Sequence, residues 1–153
     1  IRSIAGKASI ATGTVYNYFS NKDDILLALT EDYWSGALAD MKQEIKGTTF
    51  IRQVEEVYSF LSKRIKASGG RLMGSLGNVE KSGKERMSTM QQILGNELIN
   101  RLEQDSGIRK DIWTETFTKR AYANFIIMNL MILLRTRTRD ITFFLEIVKR
   151  TLY

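Results

Sequence analysis

Apolar side chains recur every three or four positions along most of this 153-residue chain, and no long run alternates with a period of two. That spacing lays one apolar face along each of a series of helices and offers no strand to pair. Proline is absent, so nothing forces a helix to break. The predicted fold is therefore all-α. Leu26, Leu29, Tyr33, Ala37, Met41 and Ile45 mark one face of a long helix. Asn21 is placed to cap its first amides, with Asp23 and Asp24 in the first turn, where the helix dipole favours acids. Gly47-Thr48-Thr49 reads as its end and Thr49 as a cap for the next helix, whose stripe is Phe50, Val54, Val57, Tyr58, Leu61 and Ile65.

Five glycines between residues 68 and 84 predict turns and short pieces there. Met87, Met90, Leu94, Leu98 and Leu102 then restore the stripe, and Gly107 ends it. A helix over residues 112–134 turns apolar on every side towards its end. It must be central, or have one side pressed against another subunit. A last helix over 140–153 carries Phe143, Phe144, Ile147 and Val148.

Composition removes several chemistries. With no cysteine there is no disulfide or thiolate ligand, and with no histidine the usual hydrolytic triads are impossible. No convergent catalytic set remains, so no enzyme, metal site or cofactor is expected. The longest uncharged run, residues 121–134, is too short for the ~20 residues of a membrane span, and a chain without cysteine that opens on no signal peptide is expected to be cytoplasmic. The chain opens on Ile1 as if inside an element, which points to a preceding piece.

The first 22 residues hold Arg2, Lys7 and Lys22 and no acid, within a net charge of +6 for the whole chain. Residues 3–8 fit a short helix with Ile4 and Ala8 inward. Ser9-Ile10-Ala11 fits a tight turn with Ile10 in the core. Residues 12–19 fit a second short helix with Val15 and Phe19 inward. Two short helices joined by such a turn make the helix-turn-helix arrangement, whose second helix enters the DNA major groove. Tyrosines at helical spacing are by default core residues, but here the inward positions are already filled. Thr12, Thr14, Tyr16, Asn17 and Tyr18 are left to outer faces, where hydroxyls and an amide suit phosphates and base edges. Gly13 allows close approach of the backbone. For Thr12 and Asn17 plain solvation is an equal alternative. Lys22 opens the long helix, where an ammonium beside exposed amides suits an anion.

Residues 3–26 resemble the DNA-binding signature of the TetR/AcrR family of bacterial transcriptional regulators. Gly13-Thr14, Tyr16, Tyr18-Phe19 and Lys22 all fall in register. Two positions depart from the pattern: Ser9 replaces the turn glycine, and Ala11 replaces the capping serine, which leaves Thr12 to cap. The resemblance implies a further helix before this segment and double-stranded operator DNA as partner. It also implies a helical carboxyl-terminal domain that binds a small molecule, and a homodimer sealed by the last two long helices. Residues 1–46 are then the DNA-binding unit and 47–153 the ligand-binding and dimerisation unit. The expected product is a ligand-responsive repressor, with an activator equally compatible with the residues. A family-shaped co-activator that no longer reads DNA is the alternative, with Ser9 and Ala11 its only hint.

Within the implied carboxyl-terminal domain, Phe125, Ile132, Leu133, Phe143, Phe144 and Ile147 are the expected dimer residues. Tyr58, Trp113, Tyr122, Asn124 and Asn129 are candidates for a ligand pocket, since polar groups on buried helices need partners; ordinary core partners would serve as well. Met73, Met87, Met90, Met128 and Met131 suit an adaptable apolar cavity or plain core, and an apolar effector is preferred. Gly70-x-Leu72-x-Gly74-x-Leu76 is similar to a glycine-rich stretch in some family members. Arg135, Arg137 and Arg139 read as a solvated connector.

Overall fold

The computed structural model describes residues 1–67 and 81–153, leaving out the side chains of Leu26, Thr30, Trp34 and residues 81–91. Among the described residues there are helices and no strand. In chain order they are α1 (Arg2–Lys7), α2 (Thr12–Tyr18), α3 (Lys22–Glu44), α4 (Phe50–Ala67), α5 (Lys81–Gln104), α6 (Lys119–Arg135) and α7 (Thr142–Leu152). The glycine-rich motif of residues 70–76 and Met73 lie outside the described residues, as do the side chains of Met87 and Met90.

Two apolar cores organise the chain. The small one joins Ala5, Val15 and Ile25, with Ile1 and Phe19 packed against it. The large one is built from α3 to α7, and α3 serves both: Ile25 sits in the first core, Ala37, Met41 and Ile45 in the second. Every residue of the Phe50-to-Ile65 stripe of α4 is buried, with Phe60 buried beside it, since most residues on the opposite face are polar. Leu29 departs from its predicted stripe and faces solvent.

Helix ends are fixed by side chains. Asn21 Oδ1 accepts the Asp24 N–H at 2.9 Å while Asp24 Oδ2 accepts the Ser20 N–H at 2.9 Å, a reciprocal lock on the start of α3. Thr49 Oγ1 accepts the Arg52 N–H at 3.4 Å at the start of α4. Asp105, from beyond the end of α5, accepts the Phe50 N–H at 2.7 Å and the Gly107 N–H at 2.9 Å, and also takes the Tyr153 hydroxyl. One carboxylate thus ties the start of α4 to both ends of the carboxyl-terminal region.

Two predicted boundaries are corrected. Gly83 lies inside α5, so the glycine-rich break ends before Lys81. The helix expected from residue 112 begins at Lys119, where Thr118 Oγ1 accepts the Ala121 N–H at 3.0 Å. Trp113 and Phe117 instead stack in the preceding loop, with ring centroids 5.7 Å apart. Nor is α6 buried on every side. Met128 (63%) and Ile132 (59%) are exposed, with Phe125 beside them one turn away.

Candidate nucleic-acid interface

The turn between α1 and α2 closes on two backbone hydrogen bonds, Ser9 N–H to Gly6 O at 3.3 Å and Ile10 N–H to Ala5 O at 3.1 Å. These are the paired bonds of a helix end whose next residue is left-handed, and Ser9 takes that conformation at φ 55°. The family's glycine is therefore dispensable here, though a side chain costs more than a hydrogen at this φ. The inward residue of α1 is Ala5. Ile4 and Ala8, expected inside, are exposed, and so is Ile10, because the turn carries its side chain away from the small core.

On α2, Val15 is buried and Phe19 half-buried, which orients the helix as the spacing predicted. The helix starts at Thr12 with Ala11 at the cap position and no side chain bonded to its amides. Thr12 does not replace the missing capping serine, since its own φ/ψ already belong to the helix. Thr12 is half-buried, while Gly13, Thr14, Asn17 and Lys22 are exposed. Tyr16 is 54% and Tyr18 79% exposed. A side chain on Gly13 would meet nothing within 4 Å of the protein itself. Two phenols, two hydroxyls and an amide thus stand outward beside Lys22, in a segment without an acid before Asp23. Asp24 is already occupied at the cap of α3.

The five ligand candidates do not converge. The Tyr58 hydroxyl donates to the Thr138 carbonyl, which pins the connector between α6 and α7 to α4. Tyr122 is buried among the rings of Trp113 and Phe117, and burial pushes its phenol up to about 12 against a weaker pull from the Thr151 hydroxyl. Asn124 is exposed, and Asn129 Nδ2 donates to Phe125 O of its own helix at 2.8 Å. An apolar cavity of about 30 Å³ lies elsewhere, among Met41 of α3, Leu61 of α4, Leu98 of α5 and Met131 of α6. Met131 meets the expectation of a methionine there, whereas Met128 faces outward. Sequence reasoning missed Arg101, which borders this cavity and pairs with Glu97 at 2.9 Å. The signal was available as an i,i+4 acid–base pair flanking the Leu94-Leu98-Leu102 stripe.

Of the expected dimer residues, Phe143 (79%), Phe125, Ile132 and Ile147 are exposed. Phe144 is turned into the subunit's own core, and Leu133 is half-buried against it. Both are held by packing within the chain.

Residues 1–29 match the model of the bacterial regulatory proteins of the tetR family. The amino-terminal helix-turn-helix is similar to the DNA-binding segment of that family. A similar protein is the fatty acid metabolism regulator protein of Bacillus subtilis (strain 168), 39% identical over 46 residues, which are 30% of this chain and 24% of that protein. The chain thus spans about a quarter of the curated relative it matches, 24% of its length. No solved structure matches. The TetR-family match covers α1, α2 and the first turns of α3, the part of the chain that builds the small core. No described helix is long and apolar enough to cross a membrane.

Proposed function

We propose that this chain belongs to a DNA-binding transcriptional repressor that acts as a homodimer and is released by a small apolar effector. Residues 1–46 are its reading unit and 47–153 its sensing and pairing unit. The observation that carries the proposal is the outward face of α2, two phenols and two hydroxyls beside Lys22, on a unit that matches a family of bacterial regulators. In this reading α2 enters the major groove. Thr14 and Lys22 bind phosphate, Tyr16, Tyr18, Asn17 and Thr12 reach phosphates and base edges, and Gly13 lets the backbone approach. The alternative, a family-shaped co-activator that does not read DNA, rests on Ser9 and Ala11 alone, and the duplex selection below separates it from this reading.

Apolar stripes support the pairing: Phe125, Met128 and Ile132 on α6, Phe143 and Ile147 on α7, linked by the Phe125–Phe144 ring contact at 6.5 Å. Exposed apolar surface of this kind marks an interaction site, and a twofold partner presents the same stripes in return. For sensing, the cavity of about 30 Å³ has room for about one water molecule, so an effector enters by parting its walls. One wall is Met41 of α3, and the other end of α3 carries the helix-turn-helix. The Bacillus subtilis relative is named for fatty acid metabolism, and an apolar chain suits this lining. Taking the dimer from mostly bound to mostly released needs about 5.5 kcal/mol of differential effector affinity.

Selection of the full-length protein on a random duplex pool tests the proposal. The expected product is an inverted repeat with half-sites about one helical turn apart, ~34–36 Å. Failure to enrich any sequence contradicts it.

A further inference from the structure

Away from α2 and from the apolar interior, a cleft of about 700 Å³ opens between the carboxyl half of α4 and the α6–α7 connector. Its lining includes Lys63 and Lys66 of α4 and Arg137 and Arg139 of the connector, against two carboxylates, Glu55 and Asp140. Among the described residues these four cations make no ion pair, whereas Arg52, Arg64, Arg101 and Arg150 each do. Asp140 is turned to the start of α7, where its Oδ1 accepts the Thr142 N–H at 2.8 Å. The connector is held in place from below by the bond from Tyr58 to the Thr138 carbonyl.

The end of α6 carries a second anomaly at the same place. Arg137 N–H donates to Leu134 O at 3.2 Å and Thr138 N–H to Leu133 O at 3.0 Å, with Arg137 left-handed at φ 53°. That position ordinarily belongs to glycine, which adopts it without strain. An arginine there strains the backbone and places an always charged fork with five N–H donors on the cleft lining. Strain of this kind collects at turns and at binding sites; Ser9 carries it in a turn, whereas Arg137 carries it on the lining of a cleft. The cleft volume is that of a small-molecule site, and its concave shape suits a compact ligand.

We propose that this cleft binds a small polyanion, a compact molecule carrying two or more phosphate charges. Lys63, Lys66 and Arg139 supply the field and Arg137 the directed contact. The Ser62 hydroxyl adds a neutral donor.

The test is calorimetric titration of the full-length protein with inorganic pyrophosphate at physiological salt, for the wild type, Arg137→Gly, and Lys63→Gln with Lys66→Gln. Saturable binding is expected, at least tenfold weaker in Arg137→Gly, whose melting temperature equals or exceeds that of the wild type. The lysine variant is expected to weaken binding as well. No saturable binding of pyrophosphate, or equal affinity in Arg137→Gly, overturns the proposal. A lower melting temperature for that variant also overturns it, because Arg137 would then be structural. DNA binding is expected to be unchanged in the variants without ligand, so a failure here is separate from a failure of the regulator reading.

Discussion

Ser9 holds a left-handed conformation that glycine adopts at lower cost, so Ser9→Gly is expected to raise stability by about 1 kcal/mol. Urea denaturation reads this, with DNA affinity unchanged. Asp105 sets an acid limit. Burial alone would raise its pKa, but the Tyr153 hydroxyl and the Phe50 and Gly107 N–H groups outweigh that and hold the carboxyl below its ordinary range. A depressed folded pKa gives stability that is present above the unfolded value and lost as pH falls through the folded one. Melting temperature is therefore expected to fall below about pH 4, and Asp105→Asn to flatten part of that fall. At the alkaline end the sign reverses. Burial raises the phenols of Tyr58, Tyr122 and Tyr153, so the unfolded chain loses protons first and stability drops above about pH 10. Asp105 was not legible in the sequence, since Phe50 and Tyr153 lie 55 and 48 residues away.

At the scale of elements, the stripe of α4 was legible because it is continuous, although Phe60, outside it, is buried as well. The start of α6 was not. Ile112, Trp113 and Phe117 are spaced as a helix would be, yet they lie in a loop, where the Trp113 and Phe117 rings stack on each other and pack against Tyr122 of α6. The turn at Ser9 was legible from the two short helical stretches on either side of it, while the burial of Ala5 in place of Ile4 depends on how α1 meets α3. Two glycines separate the effects of space and propensity. A Cβ on Gly95, inside α5, would meet the mobile Arg120 Nη1 at 3.4 Å, an ordinary contact. Gly95→Ala is therefore expected to stabilise by up to about 1 kcal/mol through helix propensity. A Cβ on Gly47 would stand 2.8 Å from Arg52 Cγ and 3.0 Å from the Gln53 backbone nitrogen, so Gly47→Ala is expected to destabilise. Thermal unfolding of the two variants gives opposite signs.

On the scale of the whole molecule, α3 is the mechanical link between the unit that would read DNA and the unit that would sense. Its far half is bound to the large core by Asp40 to Arg64, Lys42 to Glu97 at 3.4 Å, and buried Met41. Movement of those walls therefore reaches Ile25 and the small core through one continuous helix. In the proposed dimer, pairing would fix the distance between the two α2 helices, and Phe143→Glu is expected to give monomers at micromolar concentration by analytical ultracentrifugation. Which residues of α7 face outward was only half legible, because spacing cannot separate Phe143, which faces out, from Phe144, which faces in. The most direct measurement of the account is fluorescence anisotropy of the full-length protein on its selected duplex, across a salt series. Tyr16→Ala is expected to weaken binding at least tenfold with the dimer intact, and Lys22→Ala to weaken it and lower the salt slope by about one. Unchanged affinity in both variants would contradict the assignment of α2 as the groove-reading helix.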